Sequence, residues 1–315
     1  MRILITGASG LLGANLALEA AALGHQVFGQ AHRQRLETTA FSALTADLTE
    51  QGAFEQLFVR ASPEWVIHCA AVANLEDCER DPGLAERLNA HVPGKLAEVC
   101  RQGGARLLHV STDAVFDGRR GGYRETDTPN PQNVYAQTKL DGERAVAQAD
   151  PQALIARVNL FGYSPSGGRS LAEFFLYNLI AGNPLKGFTD VVFCPLLVND
   201  IAAIFFRMLE KGLKGLYHVF GSECLSKYDF GVRIAGRFGL DPALIAPVSV
   251  ADGGLAAARS PNLSMDIHKL STDLGQAPPS FSPMLERFYT LYQQGYPQRL
   301  KELRVGVWDD GKKGA

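Results

Sequence analysis

The sequence feature that most constrains the fold is a glycine-rich turn near the amino terminus. The apolar segment Arg2–Thr6 has the composition of a buried strand, and the Ala/Leu-rich segment Leu11–Leu23 has that of a helix. The turn between them, Gly7–Gly13, carries a glycine at every third position. Glycine permits a tight bend and lets backbone N–H groups approach a pyrophosphate at the start of a helix. The segment therefore predicts a dinucleotide-binding turn. Its spacing departs from Gly-x-Gly-x-x-Gly, and a glycine turn without a ligand is the alternative.

Strand-like and helix-like segments alternate after this first unit. The strand-like runs are 25–29, 65–69, 106–110, 154–158 and 216–220. The helix-like runs are 49–59, 83–102, 135–149, 169–181, 200–209, 226–239 and, as the last helix, 284–294. This alternation predicts the fold class α/β, a Rossmann-type doubly wound parallel sheet with a smaller C-terminal α/β substrate domain.

The alternation weakens after residue 162, and this predicts a domain boundary. We expect residues 1–162, with a later contribution from about 190–212, to form an NADP-binding Rossmann domain. Residues 163–189 and 213–308 are expected to form the smaller substrate-binding domain. Residues 309–315 are expected to be a disordered tail.

Composition excludes several classes of function. Hydrophobic residues make up 46% of the 315 residues, which is ample for a buried core, and the net charge of −2 gives no reason to expect nucleic acid or an anionic membrane as partner. No Cys-x-x-Cys or zinc-spaced His pair occurs, so we expect no metal site and five reduced cysteines in a cytoplasmic protein. Met1 leads directly into a strand and no long uncharged apolar run occurs, so no signal peptide or membrane span is expected.

Tyr135 and Lys139 lie four residues apart in a segment with the composition of a helix, so their side chains are expected on one face. The lysine charge should then lower the pKa of the phenol, as an acid/base pair requires. Lowering a tyrosine pKa from ~10 to about 7 takes roughly 4 kcal/mol, which a charge at ~4 Å supplies at an effective dielectric constant of about 20 but not in bulk water. We therefore expect a semi-dry cleft with a second positive charge nearby. An exposed helix pair without function is the alternative, because this spacing alone is common.

The residues after the second strand bear on which dinucleotide binds. An acid at the end of this strand would bind the ribose 2′-hydroxyl of NAD. Here there is no acid, and His32, Arg33 and Arg35 follow instead. Basic residues suit a 2′-phosphate, so NADP is expected, with NAD as a possible cofactor; solvated loop charges are the alternative. Asp47 and Leu48 are expected at the adenine, unless Asp47 only caps a helix.

Three motifs resemble those of one family. They are Ser111–Gly118 (STDAVFDG), Pro131–Glu143 (PQNVYAQTKLDGE) and Arg259–Asp266 (RSPNLSMD). With the glycine turn they make the chain similar to an extended short-chain dehydrogenase/reductase, and more narrowly to the dTDP-4-dehydrorhamnose reductase family. The same motifs are similar to those of the methionine adenosyltransferase beta subunit, a regulatory relative. The resemblance covers nearly the whole chain, although the third motif departs from the reductase form, which begins Arg-Pro and carries Asn-Ser.

The resemblance implies that NADPH reduces a carbonyl group. Tyr135 would protonate the ketone oxygen, Lys139 would hold the cofactor ribose and keep the phenol pKa low, and Thr112 would hydrogen-bond the substrate oxygen. A strand-end Thr112 bonded to the backbone is the alternative. The substrate would be a nucleotide sugar contacted by Thr112, Phe116 and Arg259, and a homodimer is one possible assembly. The residues expected to contact the cofactor are Gly7, Ser9, Gly10, Leu11, Leu12, Gly13, His32, Arg33, Asp47, Leu48, Ala70, Ala71, Tyr135 and Lys139.

One position separates subgroups of this superfamily. Sugar-nucleotide dehydratases carry an Asp-Glu pair after the threonine, whereas here Asp113 is followed by Ala114. Simple reduction is therefore favoured, and Asp113 is expected to tie the loop. Two alternatives stay open: a cofactor-binding regulatory subunit, and a sugar-nucleotide epimerase that retains its NAD, against which the lack of an acid after the second strand argues.

Two further residues have two interpretations each. Asn89 occupies the superfamily's helix-linked asparagine position or is an ordinary residue of a helix surface. Arg169 lies in a Ser/Gly-rich loop, where it reaches a phosphate or stays a mobile surface residue.

Overall fold

The structure, a computed structural model, describes residues 1–252 and 260–307. The helices are α1 Leu11–Ala22, α2 Ala53–Ala61, α3 Leu75–Arg80, α4 Pro82–Glu86, α5 Val92–Gly103, α6 Val134–Ala149, α7 Leu171–Ile180, α8 Val198–Glu210, α9 Lys227–Phe238, α10 His268–Leu274, α11 Phe281–Gln293 and α12 Tyr296–Glu302. The strands are β1 Arg2–Thr6, β2 Gln26–Ala31, β3 Gln34–Leu36, β4 Ser42–Thr45, β5 Trp65–His68, β6 Arg106–Thr112, β7 Leu154–Val158, β8 Leu160–Phe161, β9 Leu185–Phe188, β10 Val192–Phe193, β11 Leu196–Leu197, β12 Gly215–Val219, β13 Leu225–Ser226, β14 Ile245–Val248, β15 Asn262–Leu263 and β16 Arg304–Val307.

Seven parallel strands form the central sheet in the order β12-β7-β6-β5-β1-β2-β4. The chain winds outward from β1 in both directions, so a crevice opens at the carboxyl ends of β1 and β5. Ligands of such sheets bind at this reversal point. The predicted class, a doubly wound parallel α/β sheet, is confirmed.

Both faces of the sheet are covered. Ile3 and Ile5 of β1 pack in a core cluster with α1 and α8, whereas Leu4 packs in a second cluster with α2 and α5. All three side chains are fully buried. Successive residues of a strand face opposite sides, so a strand covered on both faces is apolar throughout. This is why the uninterrupted apolar run after Met1 indicated a parallel strand.

Helix α6 packs against an irregular turn of a neighbouring helix. Between α4 and α5 the residues Arg87–His91 form a π-helical turn, in which Asn89 is fully buried. The Asn89 side chain accepts from the Val72 backbone N–H at 2.9 Å and donates to the Val72 carbonyl at 3.0 Å. Asn89 is therefore not a helix-surface residue. A Cβ atom added to Gly142 of α6 would lie 2.1 Å from the Asn89 carbonyl oxygen.

Three predicted boundaries are wrong. The helix expected from Thr49 begins at Ala53, because Thr49 instead donates its N–H and hydroxyl to the Asp47 carboxylate. Strand β12 pairs with β7 in the central sheet, so residues 215–219 do not belong to the substrate domain, in which the boundary at 213 placed them. The helix expected over 284–294 begins at Phe281 and is not the last, since α12 follows. The rest of the domain division stays a prediction.

The chain returns to its amino-terminal half at the end. Strand β16 pairs antiparallel with β3, the short strand that follows the second central strand. Alternation and turn signals do not reveal this pairing, because β3 and β16 are short and far apart in sequence. The expected disordered tail 309–315 lies outside the described residues.

The prediction that all five cysteines are reduced is wrong. Cys194 and Cys224 form a disulfide, and Cys69, Cys78 and Cys100 are free. Antiparallel pairing of β10 with β13 places Phe193 opposite Leu225, which brings Cys194, the residue after Phe193, beside Cys224, the residue before Leu225. Spacing in the sequence carries no signal of this register. Within the parts of the chain that the structure describes, no helix is both long and apolar enough to cross a bilayer.

Gly142→Ala tests the contact between α6 and the π-helical turn. We expect it to lower the free energy of unfolding by roughly 1–3 kcal/mol, because the added methyl overlaps a backbone oxygen that α6 must move to avoid. Gly236→Ala in α9 is the matched control: its Cβ meets nothing within 4 Å. Urea unfolding of both variants makes the measurement, and equal stability of the two would contradict the described packing.

Candidate active site

A cavity of about 520 Å³ opens at the carboxyl ends of β1, β5 and β6. That volume lies within the range of pockets for drug-sized ligands and cofactors, about 300–1,000 Å³. The cavity extends from the glycine turn, past the ends of β2 and β4, to the exposed end of α6. Its lining includes most of the predicted cofactor residues: Gly7, Ser9, Gly10, Leu11, Leu12, Gly13, His32, Asp47, Leu48, Ala70, Ala71, Tyr135 and Lys139.

The glycine turn is shaped for a ligand that approaches the backbone. Gly7 has a φ of +69°, in the left-handed region, and a Cβ there would lie 2.8 Å from the Ala70 backbone nitrogen. A Cβ on Gly13 would lie 2.3 Å from the Gly7 carbonyl oxygen. Any side chain at either position would displace the turn from the start of α1. The bare backbone at a helix start in a parallel sheet fits the pyrophosphate of a dinucleotide.

The residues at the end of β2 line one side of the cavity. Gln30, which the sequence did not indicate, is buried and accepts from the Gly7 N–H at 3.1 Å while donating to the Ala46 carbonyl at 2.8 Å. It therefore holds the glycine turn, and it also lines the cavity. His32 lies 3.3 Å from the Asp47 carboxylate. Burial raises the pKa of Asp47, but the two hydrogen bonds from Thr49 and the charges of His32 and Arg33 outweigh it and leave the pKa below its usual range.

Helix α6 presents Tyr135 and Lys139 to the same cavity, as their spacing predicted. Asn133 caps the helix, since its side chain accepts from the Ala136 N–H at 2.8 Å. The expectation that Lys139 lowers the phenol pKa is wrong in the ligand-free protein. Burial raises the pKa of Tyr135 to about 12; a hydrogen bond with Thr112 acts to lower it and the Asp113 charge acts to raise it.

The ammonium of Lys139 is buried and has two hydrogen-bond partners on strand β6. Its Nζ donates to the Val110 carbonyl at 2.7 Å and lies 3.5 Å from His109 Nε2. Burial lowers the pKa of Lys139 to about 8, against the negative charge of Glu143 one turn further along α6. The desolvated site that the sequence argument required is present. Its first effect is to bring the pKa of Lys139 itself close to neutral pH.

Thr112 and Asp113 end β6 opposite Tyr135. The Thr112 hydroxyl donates to the Asp113 carboxylate at 3.1 Å and accepts from the Ala114 N–H at 3.1 Å. Asn159 donates to the other Asp113 oxygen at 2.6 Å. Burial raises the pKa of Asp113 to about 6, although these hydrogen bonds oppose the rise. Asp113 thus ties the loop, as expected, and also lines the cavity with a titratable carboxyl.

Three predicted residues are not part of the described cavity wall. Phe116 was predicted to contact substrate, but its side chain is buried and its ring stacks on that of Tyr123, with the ring centroids 4.2 Å apart. The turn at 113–115 directs it into a small core cluster. Arg33 does not line the cavity. Arg259 lies outside the described residues. By contrast Arg169 does line the cavity, as do Ser111 and Asn159, which the sequence did not single out.

The glycine turn at the reversal point of a parallel sheet, with a threonine, a tyrosine and a lysine facing one cavity, defines an NAD(P)-dependent oxidoreductase of the extended short-chain dehydrogenase/reductase class. Residues 1–294 match the sequence model of the family described as RmlD substrate binding domain. The chain belongs to that family.

Three known proteins, two reductases and one adenosyltransferase subunit, illustrate the relationship. The chain is 34% identical over 269 residues to dTDP-4-dehydrorhamnose reductase of Mycobacterium tuberculosis, which covers 82% of this chain and 83% of that protein. It is 33% identical over 288 residues to methionine adenosyltransferase 2 subunit beta of Xenopus laevis, covering 88% and 84%. The crystal structure of dTDP-4-dehydrorhamnose reductase from Bacillus anthracis in complex with NADP superposes with a TM-score of 0.78 at 27% identity, covering 92% of this chain and 98% of that one.

Gly13→Ala tests whether the turn forms a dinucleotide site. We expect NADP(H) to bind at least ~10-fold more weakly, because the new methyl pushes the turn away from the helix start where the pyrophosphate is bound. Isothermal titration calorimetry measures the affinity, and Gly236→Ala, also a helical glycine, is the control. Unchanged affinity in a folded Gly13→Ala protein would show that the ligand does not approach this turn.

Proposed function

We propose that this protein is an NADPH-dependent reductase of a keto group on a nucleotide-linked sugar, of the dTDP-4-dehydrorhamnose reductase type. The observation that carries the proposal is that Thr112, Tyr135 and Lys139 face one cavity that continues to the glycine turn. Membership of the family and the similarity to dTDP-4-dehydrorhamnose reductases support it.

The cavity residues fit a dinucleotide, which when bound supplies the hydride. The bare backbone at Gly7–Gly13 would receive the pyrophosphate, and Asp47 and Leu48 would contact the adenine. His32 and the nearby Arg33 suit a 2′-phosphate, which favours NADP; NAD is the second cofactor to consider. Lys139 would hold the ribose with the N–H that does not bond to Val110 or His109.

Tyr135 acts as the general acid. With a pKa raised to about 12, the phenol carries its proton at neutral pH and can give it to a ketone oxygen. The proton passes from the phenol oxygen to the carbonyl oxygen, and the hydrogen bond with Thr112, which acts to lower the phenol pKa, stabilises the phenolate that remains. The Thr112 hydroxyl orients the same carbonyl oxygen.

The assignment bears on the substrate and on the location of the protein. We infer that the smaller domain, with Arg259 among its residues, receives the nucleotide sugar, and that Arg169 reaches a phosphate from its loop. NADPH and nucleotide sugars suggest the cytoplasm. The Cys194–Cys224 disulfide argues against that location, because reducing compartments keep such thiols reduced.

A regulatory subunit is the second candidate. It is favoured by one observation, the 33% identity to a methionine adenosyltransferase beta subunit. Such a subunit would bind a dinucleotide without consuming it, and its effect would appear in the kinetics of a partner enzyme.

The reductase is tested by following NADPH absorbance at 340 nm with dTDP-4-dehydrorhamnose as substrate. Tyr135→Phe removes only the acidic hydroxyl, so we expect it to reduce kcat by about 10²- to 10⁴-fold while NADPH affinity stays unchanged. Tyr123→Phe is a matched control, since that tyrosine bonds Asp117 away from the cavity. No NADPH consumption by the wild type, with a known reductase as positive control, would refute the reductase. A partner enzyme whose kinetics change equally with wild type and Tyr135→Phe would then favour the regulatory role.

Arg33→Ala tests the choice of cofactor. Loss of one guanidinium–phosphate contact is expected to weaken NADPH binding about tenfold, about 1.4 kcal/mol, and to leave NADH binding unchanged. Arg80→Ala, which removes an exposed guanidinium paired with Asp77, is the control. Equal weakening of both cofactors would mean that Arg33 does not contact the 2′-phosphate.

A further inference from the structure

Three polar residues lie side by side on adjacent strands of the central sheet: Thr6 and His68 end β1 and β5, and His109 lies in the middle of β6. Thr6 of β1 is in register with His68 of β5, and His68 is in register with His109 of β6. The Thr6 hydroxyl lies 2.7 Å from His68 Nδ1, and the two imidazole rings stack with centroids 5.4 Å apart. The far end of this row, His109 Nε2, lies 3.5 Å from Lys139 Nζ. We name this row of Thr6, His68 and His109 the polar ladder.

Both rings of the ladder are neutral. His68 is 1% exposed and His109 is fully buried. Burial, and then the Lys139 charge, lower the pKa of His68 to about 3 and hold the pKa of His109 well below its ordinary value. A lysine ammonium only donates hydrogen bonds. His109 Nε2 is therefore the acceptor, and the His109 proton is on Nδ1.

The other end of the ladder touches the cofactor cavity. The Thr6 hydroxyl oxygen accepts from the backbone N–H groups of Cys69 at 3.2 Å and Ala70 at 3.3 Å. With both acceptor positions used, its own proton goes to His68 Nδ1. Ala70 lines the cavity and contacts Gly7 of the turn. The ladder thus joins the wall of the dinucleotide site to the lysine.

The other titratable groups around Lys139 cannot take the place of His109. Tyr135 and Glu143 lie on the same helix as Lys139, and the Glu143 carboxylate is held by Arg157 and Ser111. Cys69 faces Lys139 from the end of β5, but burial raises its pKa to about 12, so its thiol is neutral. His109 and the Val110 carbonyl are the two groups bonded to Nζ among the residues that the structure describes.

We propose that His109 is a positioning residue for Lys139: its neutral ring accepts a hydrogen bond from the buried ammonium, stabilises the charged form and directs the remaining N–H toward the cavity. The inference rests on the proposed function for its catalytic meaning, but the contact itself does not depend on any substrate. The His68 ring stacks on the His109 ring and is itself held by the Thr6 hydroxyl, so the plane of the His109 ring is packed from one side.

The test is the titration of Lys139 in the cofactor-free protein, by NMR of ¹³C-lysine-labelled samples, with Lys139→Arg to assign the signal. His109→Leu removes the acceptor and should lower the Lys139 pKa by about one unit, a tenfold shift toward the neutral amine, because the hydrogen bond favours the charged form. His109→Gln keeps an acceptor oxygen and should titrate like wild type. His25→Leu is the control: it is the same chemical change just before β2, at the amino-terminal ends of the strands.

Two results would overturn the proposal. The first is a Lys139 pKa in His109→Leu that equals the wild-type value, and the second is an equal shift of that pKa in His109→Gln and His109→Leu. If His109→Leu does not fold, His109→Phe keeps the ring stacking without an acceptor and makes the same comparison. In the active enzyme, the alkaline limb of the pH profile of kcat/KM should shift to lower pH in His109→Leu, by as much as the Lys139 pKa does. A shifted titration in a protein that reduces no keto sugar would support the positioning role and refute the proposed function separately.

Discussion

The geometry of the site depends on one buried ion pair. The Glu143 carboxylate on α6 receives two hydrogen bonds from the Arg157 guanidinium of β7, at 2.9 and 2.7 Å, and a third from the Ser111 hydroxyl of β6 at 2.5 Å. Glu143 lies one and two helical turns beyond the two α6 residues that face the cavity, on the same side of the helix. The pair therefore fixes the rotation of the helix about its axis. Buried ion pairs are expensive to desolvate, and a bidentate contact with a third donor offsets that cost.

The same guanidinium organises the region on its other side. Arg157 lies over the Phe116 ring at 5.0 Å, and its Nη1 is 3.4 Å from His218 Nε2 on β12. Phe116 is thus held as part of the support for α6, beneath the loop that carries the threonine and the aspartate. Arg157 consequently couples helix α6, which bears Tyr135, to strand β12, which the sequence argument had assigned to the substrate domain.

Sequence reasoning succeeded where the signal is local and failed where it depends on pairing between distant segments. The glycine turn and the alternation of strands and helices predicted the sheet, because each reflects the conformation of a few consecutive residues. The four-residue spacing placed Tyr135 and Lys139 correctly, but burial rather than the lysine charge sets the phenol pKa, and burial is a property of the assembled fold. The Cys194–Cys224 bond depends on a strand register, and the burial of Phe116 depends on its stacking against Tyr123 in a core cluster formed by distant segments. Neither leaves a local pattern in the chain.

The pairing of β16 with β3 links residues 304–307 to the segment that follows β2. During synthesis the central strands leave the ribosome long before residue 304, so the sheet can form while this segment still has an unpaired edge. Strand β3 can gain its partner only after residues 304–307 have been made. A nascent chain stalled before that point would present β3 as an open strand, which is a target for chaperones and for edge-to-edge association.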